Sequence, residues 1–405
     1  MARSFQNVQD EISVGIAARS EPTKEVQNTE RRQSGTAGKM KNIFGVLTAA
    51  FLITATSWAA DPSLQPCHPT AEKAVGAGPL LQMVVFGDSV AWGNGLAETG
   101  DETSGHKFSA LVADWLAKTT NRQVKRAVYA HSAATVQPPE GVPETTQPLA
   151  GDVNSAYPTV SEQLGCVAEE QRANVRLILM NGCINDVGPF GLVSPENPAS
   201  WVQYQVEQFC GPPIEQVLRT AAQMYQHATI VVTGYYPIIS DKSDIAPFLD
   251  FLRQFFPAQS KRSMYLFRQA DVQEAMQEKS RSAENSSLFY NLTNQLFSQS
   301  VDRINRELGN TRLYFVKIPL TPENSFGAPQ SYLWPIPTVV SGFDEVYLDR
   351  QIPCLNAFAK DPVGFEVCRL DSAAHPNVEG AHVYADEIIK VLADFARQAV
   401  DNSGK

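Results

Sequence analysis

The chain has 405 residues, 43% of them hydrophobic, enough to bury a large core as one big domain or two ordinary ones. Its formal net charge is −10 and its pI about 5.2. An acidic balance of that size gives nucleic acid no electrostatic footing, so a phosphate-backbone binder is excluded as a function class.

In chain order, residues 1–39 are polar, mixed in charge and without apolar periodicity, which reads as a disordered extension. Lys41 then precedes an apolar run from Ile43 to Ala55 that is too short to cross a bilayer comfortably. Ser57-Trp58-Ala59 supplies small residues at a cleavage position. Together these are the parts of a secretory signal peptide over 40–59, with an uncleaved anchor as the alternative reading and Met40 as an alternative start. The expected location is secreted or periplasmic. Residues 60–79 read as a linker, and no later stretch approaches about 18 consecutive apolar residues, so no membrane span is expected after cleavage.

From residue 80 to about 400 the pattern is that of one α/β domain. Five short apolar runs read as strands: 81–86, 125–130, 175–180, 229–236 and 312–318. Most are continuous rather than alternating, as in strands buried on both faces. Between them, apolar residues recur at helical spacing, as at Phe108, Leu111, Val112, Trp115 and Leu116 within 107–119. Helices are likewise expected over 157–167 and 212–227, with a long closing helix after Pro376. Strand–helix repetition predicts a parallel sheet covered by helices on both faces, with ligand sites at the carboxyl ends of the strands. Two segments are surplus. One, at about 240–287, is rich in Phe at its start; the other, at about 319–370, is rich in Pro, Gly and aromatics. Each either walls a binding site or only packs as extra helix.

Six cysteines follow the cleavage position: Cys67, Cys166, Cys183, Cys210, Cys354 and Cys368. An even count in an exported chain favours disulfides, although six allow fifteen connectivities. Chain proximity suggests 67–166, 183–210 and 354–368. No Cys-x-x-Cys, H-x-H or H-E-x-x-H pattern occurs, so neither a metal nor a cofactor is expected.

The chemistry-bearing residues lie at strand ends. Ser89 follows the first strand in VVFGDSVAWGNG and is either a nucleophile or a turn residue. A serine hydroxyl attacks only when a base takes its proton. Of the six histidines, His68, His106, His227 and His382 have no strand-end placement, and His131 ends the second strand. His375 occupies a loop before the last helix, where Pro376 keeps it out of helical geometry. An oxyanion formed on attack needs donors aimed at it. The small-residue stretch after the second strand, around Ala133, offers a backbone N–H. Asn185, after the third strand, offers a side-chain amide, and Ser89 its own N–H.

In four stretches, VVFGDSVAWGNG, VYAHSAATV, LMNGCINDVG and DSAAHPNVEGAH, the sequence resembles the SGNH/GDSL-type serine esterases and lipases, from about residue 80 to the closing helix. The resemblance implies a three-layer α/β/α sandwich with a flavodoxin-like five-stranded parallel sheet. It implies Ser89 as nucleophile, His375 as general base, and an oxyanion hole of Ser89 N–H, Ala133 N–H and the Asn185 amide. The chain departs from the pattern in three places. Ala133 stands where the family has Gly, Cys183 stands where it has Gly two before the Asn, and Ser372 stands at the usual acid position three before the His. The expected orienting acid is therefore Asp371, one residue earlier, with a backbone carbonyl as the alternative. The implied substrate is a carboxylic ester of an acyl chain, a lipid or a carbohydrate. Trp92, Tyr235, Tyr236 and Trp334 are candidate sugar-stacking rings, and an acyltransferase or a non-catalytic binding module of the same fold is the competing class.

Overall fold

A computed structural model describes residues 68–98, 105–142, 150–255, 269–338 and 341–401. The extension, the signal peptide expected at 40–59 and Cys67 lie outside the described residues.

Six strands form one sheet: β1 (Ala71–Val75), β2 (Leu80–Phe86), β3 (Gln123–Val128), β4 (Val175–Met180), β5 (Thr229–Thr233) and β6 (Leu313–Val316). Their order is β1-β3-β2-β4-β5-β6. The five expected strands are parallel to one another, and their apolar runs are buried because helices cover both faces. The strands expected over 229–236 and 312–318 stop earlier, at Thr233 and Val316; beyond β5, Tyr235 and Tyr236 donate their hydroxyls to Asp88 and to the Ala374 carbonyl.

The sixth strand corrects the reading of 60–79 as a plain linker. β1 pairs antiparallel with β3 and closes the outer edge that β3 would otherwise leave open. Thr70 seals its start, donating its N–H and its hydroxyl to the Val128 carbonyl at 2.7 and 2.8 Å.

The helices used below are α1 (Ser89–Trp92), α2 (Phe108–Thr120), α3 (Val160–Gln163), α4 (Ile184–Val187), α5 (Ala199–Phe209), α6 (Pro212–Met224), α7 (Ile245–Phe255), α8 (Gln269–Leu308), α9 (Tyr347–Ala357), α10 (Pro362–Arg369) and α11 (Val378–Asp401). The chain steps from β2 to β3 in one direction and from β3 past β2 to β4 in the other. Right-handed crossovers then put α2 on one face and α5, α6 and α8 on the opposite face. Contacts agree: α11 packs on α2, and α5 and α6 pack on α8. The order of the parallel strands is the flavodoxin-like one, with its switch point at the carboxyl end of β2, where a crevice opens between diverging connections.

The two surplus segments resolve differently. No break falls at 287, because α8 runs for 40 residues and is itself the crossover from β5 to β6. The 319–370 segment instead carries α9 and α10, joined by the Cys354–Cys368 disulfide. Cys183–Cys210 is also formed, so two of the three expected pairs are present. The third involves Cys67, outside the described residues.

Candidate active site

Ser89 stands at the switch point as the first residue of α1, directly after a turn that only glycine allows. Gly87 has φ +141°, and a Cβ there would lie 2.2 Å from Asn181 Oδ1 and 2.8 Å from Ala91 Cβ. Gln163 at the end of α3 clamps this turn from both sides. Its Oε1 accepts the Gly87 N–H at 2.7 Å and its Nε2 donates to the Gly87 carbonyl at 3.0 Å. Asp88 caps α1 by accepting the Val90 N–H at 2.9 Å. The same carboxylate accepts from Asn181 Nδ2 at 3.0 Å and from the Tyr235 hydroxyl at 2.6 Å. Burial raises the Asp88 carboxyl above its ordinary range, and those three donors oppose the shift. The turn that carries Ser89 is thus held by partners from three different strand ends.

His375 arrives from the far end of the chain. Its Nε2 lies 2.7 Å from Ser89 Oγ, within the reach a general base needs. Its loop is pinned through the backbone on both sides. Trp334 donates its N–H to the His375 carbonyl at 2.8 Å, and His375 donates its own N–H to the Ser372 carbonyl at 2.9 Å. Tyr236 donates its hydroxyl to the Ala374 carbonyl at 2.9 Å. Tyr235 and Tyr236, which end the β5 run, therefore hold the two halves of the pair, one each.

The expected contact of Asp371 with His375 is absent. The Asp371 carboxylate accepts from Asn94 Nδ2, from the Ser132 hydroxyl and, at 2.9 Å, from Asn154 Nδ2. One residue from the family's acid position, this side chain serves Asn94 after the Ser89 turn and the loop after β3 rather than the imidazole. His375 Nδ1 is buried and has no hydrogen-bond partner among the described residues, so the backbone-carbonyl alternative is not met either. Ser372, in the family's acid position, is fully buried and donates its hydroxyl to Asp344 at 2.6 Å. Asp344 also pairs with Arg350, whose guanidinium donates to Asn94 Oδ1 at 2.8 Å. A polar network thereby joins the α9 segment to the stretch that carries Ser89.

The donor side of the site is built from the loops after β3 and β4. Ala133 adopts φ +62°, the left-handed region that glycine fills in the resemblance, and the alanine methyl is tolerated there. Among the described residues no acceptor takes the Ala133 N–H. Asn185, on α4, donates one amide hydrogen to the Ala134 carbonyl at 2.9 Å. An amide nitrogen carries two hydrogens, so this bond fixes the side chain and leaves a second donor. Next to it, Asp186 accepts the Val136 N–H at 2.9 and 3.0 Å, which fastens the β4 loop to the β3 loop. Burial pushes the Asp186 carboxyl up to about 7. Cys183 sits at φ +103°, a costly conformation for a residue with a Cβ, and its disulfide to Cys210 holds it there.

Two other histidines make contacts of their own. His131 is buried with its ring nitrogens 3.0 Å from the Ser132 carbonyl and 2.8 Å from the Pro158 carbonyl, and His106 meets Glu345. Asp88, Asn181, Gln163, Asn94 and Ser132 are supports that residue-type reasoning on the sequence missed. Only the Asp88 position, as the residue before Ser89, carried any local signal.

With this geometry in hand, the family described as GDSL-like Lipase/Acylhydrolase matches residues 83–388. The chain belongs to that family. As a GDSL-like acylhydrolase it is a carboxylic ester hydrolase. No curated protein sequence matches it closely enough to count as a relative. Among solved structures it is similar to an extracellular lipase from Streptomyces rimosus, at 14% identity and TM-score 0.42 over 76% of this chain and 99% of that one. A phospholipase A1 from Streptomyces albidoflavus is similar at 13% identity and TM-score 0.42, over 76% and 98% of the two chains. A family two carbohydrate esterase from Clostridium thermocellum, solved with cellohexaose, is similar at 12% identity and TM-score 0.36, over 79% and 66%.

Proposed function

We propose that this GDSL-like acylhydrolase is an exported serine esterase that cleaves acyl or lipid esters through an acyl-enzyme on Ser89. The observation that carries the reading is the 2.7 Å approach of His375 Nε2 to Ser89 Oγ at the topological switch point. In the proposed cycle, Ser89 Oγ attacks the ester carbonyl while its proton passes to His375 Nε2. The new oxyanion is received by the N–H groups of Ser89 and Ala133 and by the free amide hydrogen of Asn185. His375 returns the proton to the departing alkoxide, the alcohol leaves, and a water molecule repeats the sequence on the acyl-enzyme. His375 works here as the base of a dyad: its loop is held by backbone bonds, and Asp371 serves the nucleophile turn instead.

Two features support export. Two disulfides are formed, as is usual for an oxidising compartment, and residues 40–59 have signal-peptide character.

A carbohydrate ester remains the second reading, yet the aromatic support for it is reduced. Trp92, Tyr235 and Tyr236 are buried at 7%, 1% and 3% exposure, so of the four candidate stacking rings only Trp334 has surface to offer. Chain-length profiling with p-nitrophenyl esters tests the choice. Turnover rising toward eight carbons supports the acyl or lipid reading, and a confinement to acetate overturns it in favour of the sugar-ester reading.

A further inference from the structure

Helix α9 is amphipathic in an inverted sense. Its inward face carries Arg350 and the disulfide-bonded Cys354, at 2% and 0% exposure. Its outward face carries Leu348, Ile352 and Leu355, four and three residues apart and thus one above another along the helix. These three are 76%, 68% and 53% exposed, and Phe343 and Val363 flank them at 50% and 58%. Of the nine large apolar side chains exposed among the described residues, these five fall within 21 residues of sequence. Scattered exposed apolar residues need no explanation, whereas such a concentration marks a contact surface.

The surface stands beside the reacting atoms. Arg350 reaches Asn94 in the nucleophile turn, Glu345 donates its N–H to the Gly95 carbonyl at 3.0 Å, and α10 runs straight on to Asp371 and His375. The Cys354–Cys368 disulfide ties α9 to α10, so the apolar face is carried on a braced hairpin. We infer that this face docks the enzyme on a neutral or zwitterionic lipid surface, the aggregated form of its own ester substrate. The choice of a lipid surface rests on the ester-hydrolase reading. Two further observations narrow the occupant. The five side chains offer on the order of 500 Å² of exposed area, short of the roughly 800 Å² per partner of a stable protein interface. A second copy of the chain is therefore disfavoured, while shallow insertion into a headgroup layer needs no more. The segment also brings no basic cluster: residues 343–363 carry Asp344, Glu345, Asp349 and Asp361 against Lys360 and the buried Arg350, on a chain of net charge −10. Attraction to anionic lipid is accordingly not part of the docking.

The test compares the full chain with a Leu348→Ser/Ile352→Ser/Leu355→Ser variant, identical in its N-terminal segment. Partition onto phosphatidylcholine vesicles should fall at least about tenfold in the variant, without gain from added anionic lipid and without loss in 0.5 M salt. Turnover of soluble p-nitrophenyl acetate should stay within about twofold, which shows that the variant is folded. Equal partition of the two proteins overturns the inference. So does partition that requires anionic lipid, or a wild-type dimer in sedimentation velocity that becomes monomeric in the variant. Absence of hydrolysis of every p-nitrophenyl ester from acetate to octanoate in wild type would strike the ester-hydrolase reading instead, and vesicle partition would still judge the surface by itself.

Discussion

At the scale of the residue, what a side chain can do is set by which of its bonding positions are already taken. Asn185 spends one amide hydrogen on Ala134 and keeps one. Asn185→Ala should lower kcat by about 10²–10³ while costing only about 1 kcal/mol of stability for the lost bond. Steady-state kinetics with thermal unfolding checks this, and near-wild-type kcat would remove Asn185 from the oxyanion hole. Asp371 spends its carboxylate on Asn94, Ser132 and Asn154. Asp371→Asn should loosen the nucleophile turn and reduce kcat/KM by about ten- to a hundredfold at every pH. Steady-state kinetics checks this, and an unchanged kcat/KM would show that Asp371 does not support the Ser89 turn. Ser89 and His375 were legible because their residue types and strand-end positions are local signals. The failure of Asp371 was not legible. One residue of offset decides which way a loop carboxylate points, and that depends on Asn94 and Asn154, which are 277 and 217 residues away in sequence.

At the scale of the element, strands β2 to β6 could be read from the sequence because continuous apolar runs have no other comfortable place than a sheet covered on both faces. β1 could not, since Ala71–Val75 reads AEKAV, and its pairing is chosen by the open edge of β3 rather than by its own composition. The expected helix over 157–167 shrinks to α3, which ends at Gln163, whose side chain is drawn into the Gly87 clamp. α8 ran past expectation because its first half is polar and takes its support from the helices it packs on. The Cys183–Cys210 bridge ties the loop before α4 to the start of α6 across 27 residues. Replacing both cysteines by serine should cost about 3 kcal/mol in urea unfolding and should lower turnover as well, because Asn185 follows Cys183 by two residues. Unchanged stability together with unchanged turnover would show that the bridge braces nothing.

At the scale of the whole molecule, the fold brings four distant segments to one crevice and buries acids to do so. Asp186 is raised from an ordinary 3.8 to about 7 because burial disfavours its charge. The folded state therefore holds a proton that the unfolded chain has already lost between about pH 4 and pH 7, and this contribution to stability fades as pH rises through that window. Asp186→Asn has no such proton. The stability of wild type minus that of the variant should therefore fall from about pH 4.5 to about pH 7.5 in urea unfolding; a difference that rises over that range would contradict the assignment. A parallel sheet was implied by the strand–helix alternation and its flavodoxin-like arrangement by the resemblance, but the buried acids that tie the crevice together surfaced only with long-range contacts. The central claim is that Ser89 is the nucleophile and His375 its base. Its most direct measurement is labelling with a fluorophosphonate, followed by mass mapping of the modified peptide. The account predicts one adduct, on Ser89, abolished in Ser89→Ala and strongly slowed in His375→Ala. A wild-type protein that resists the probe, or an adduct on any other residue, would contradict it.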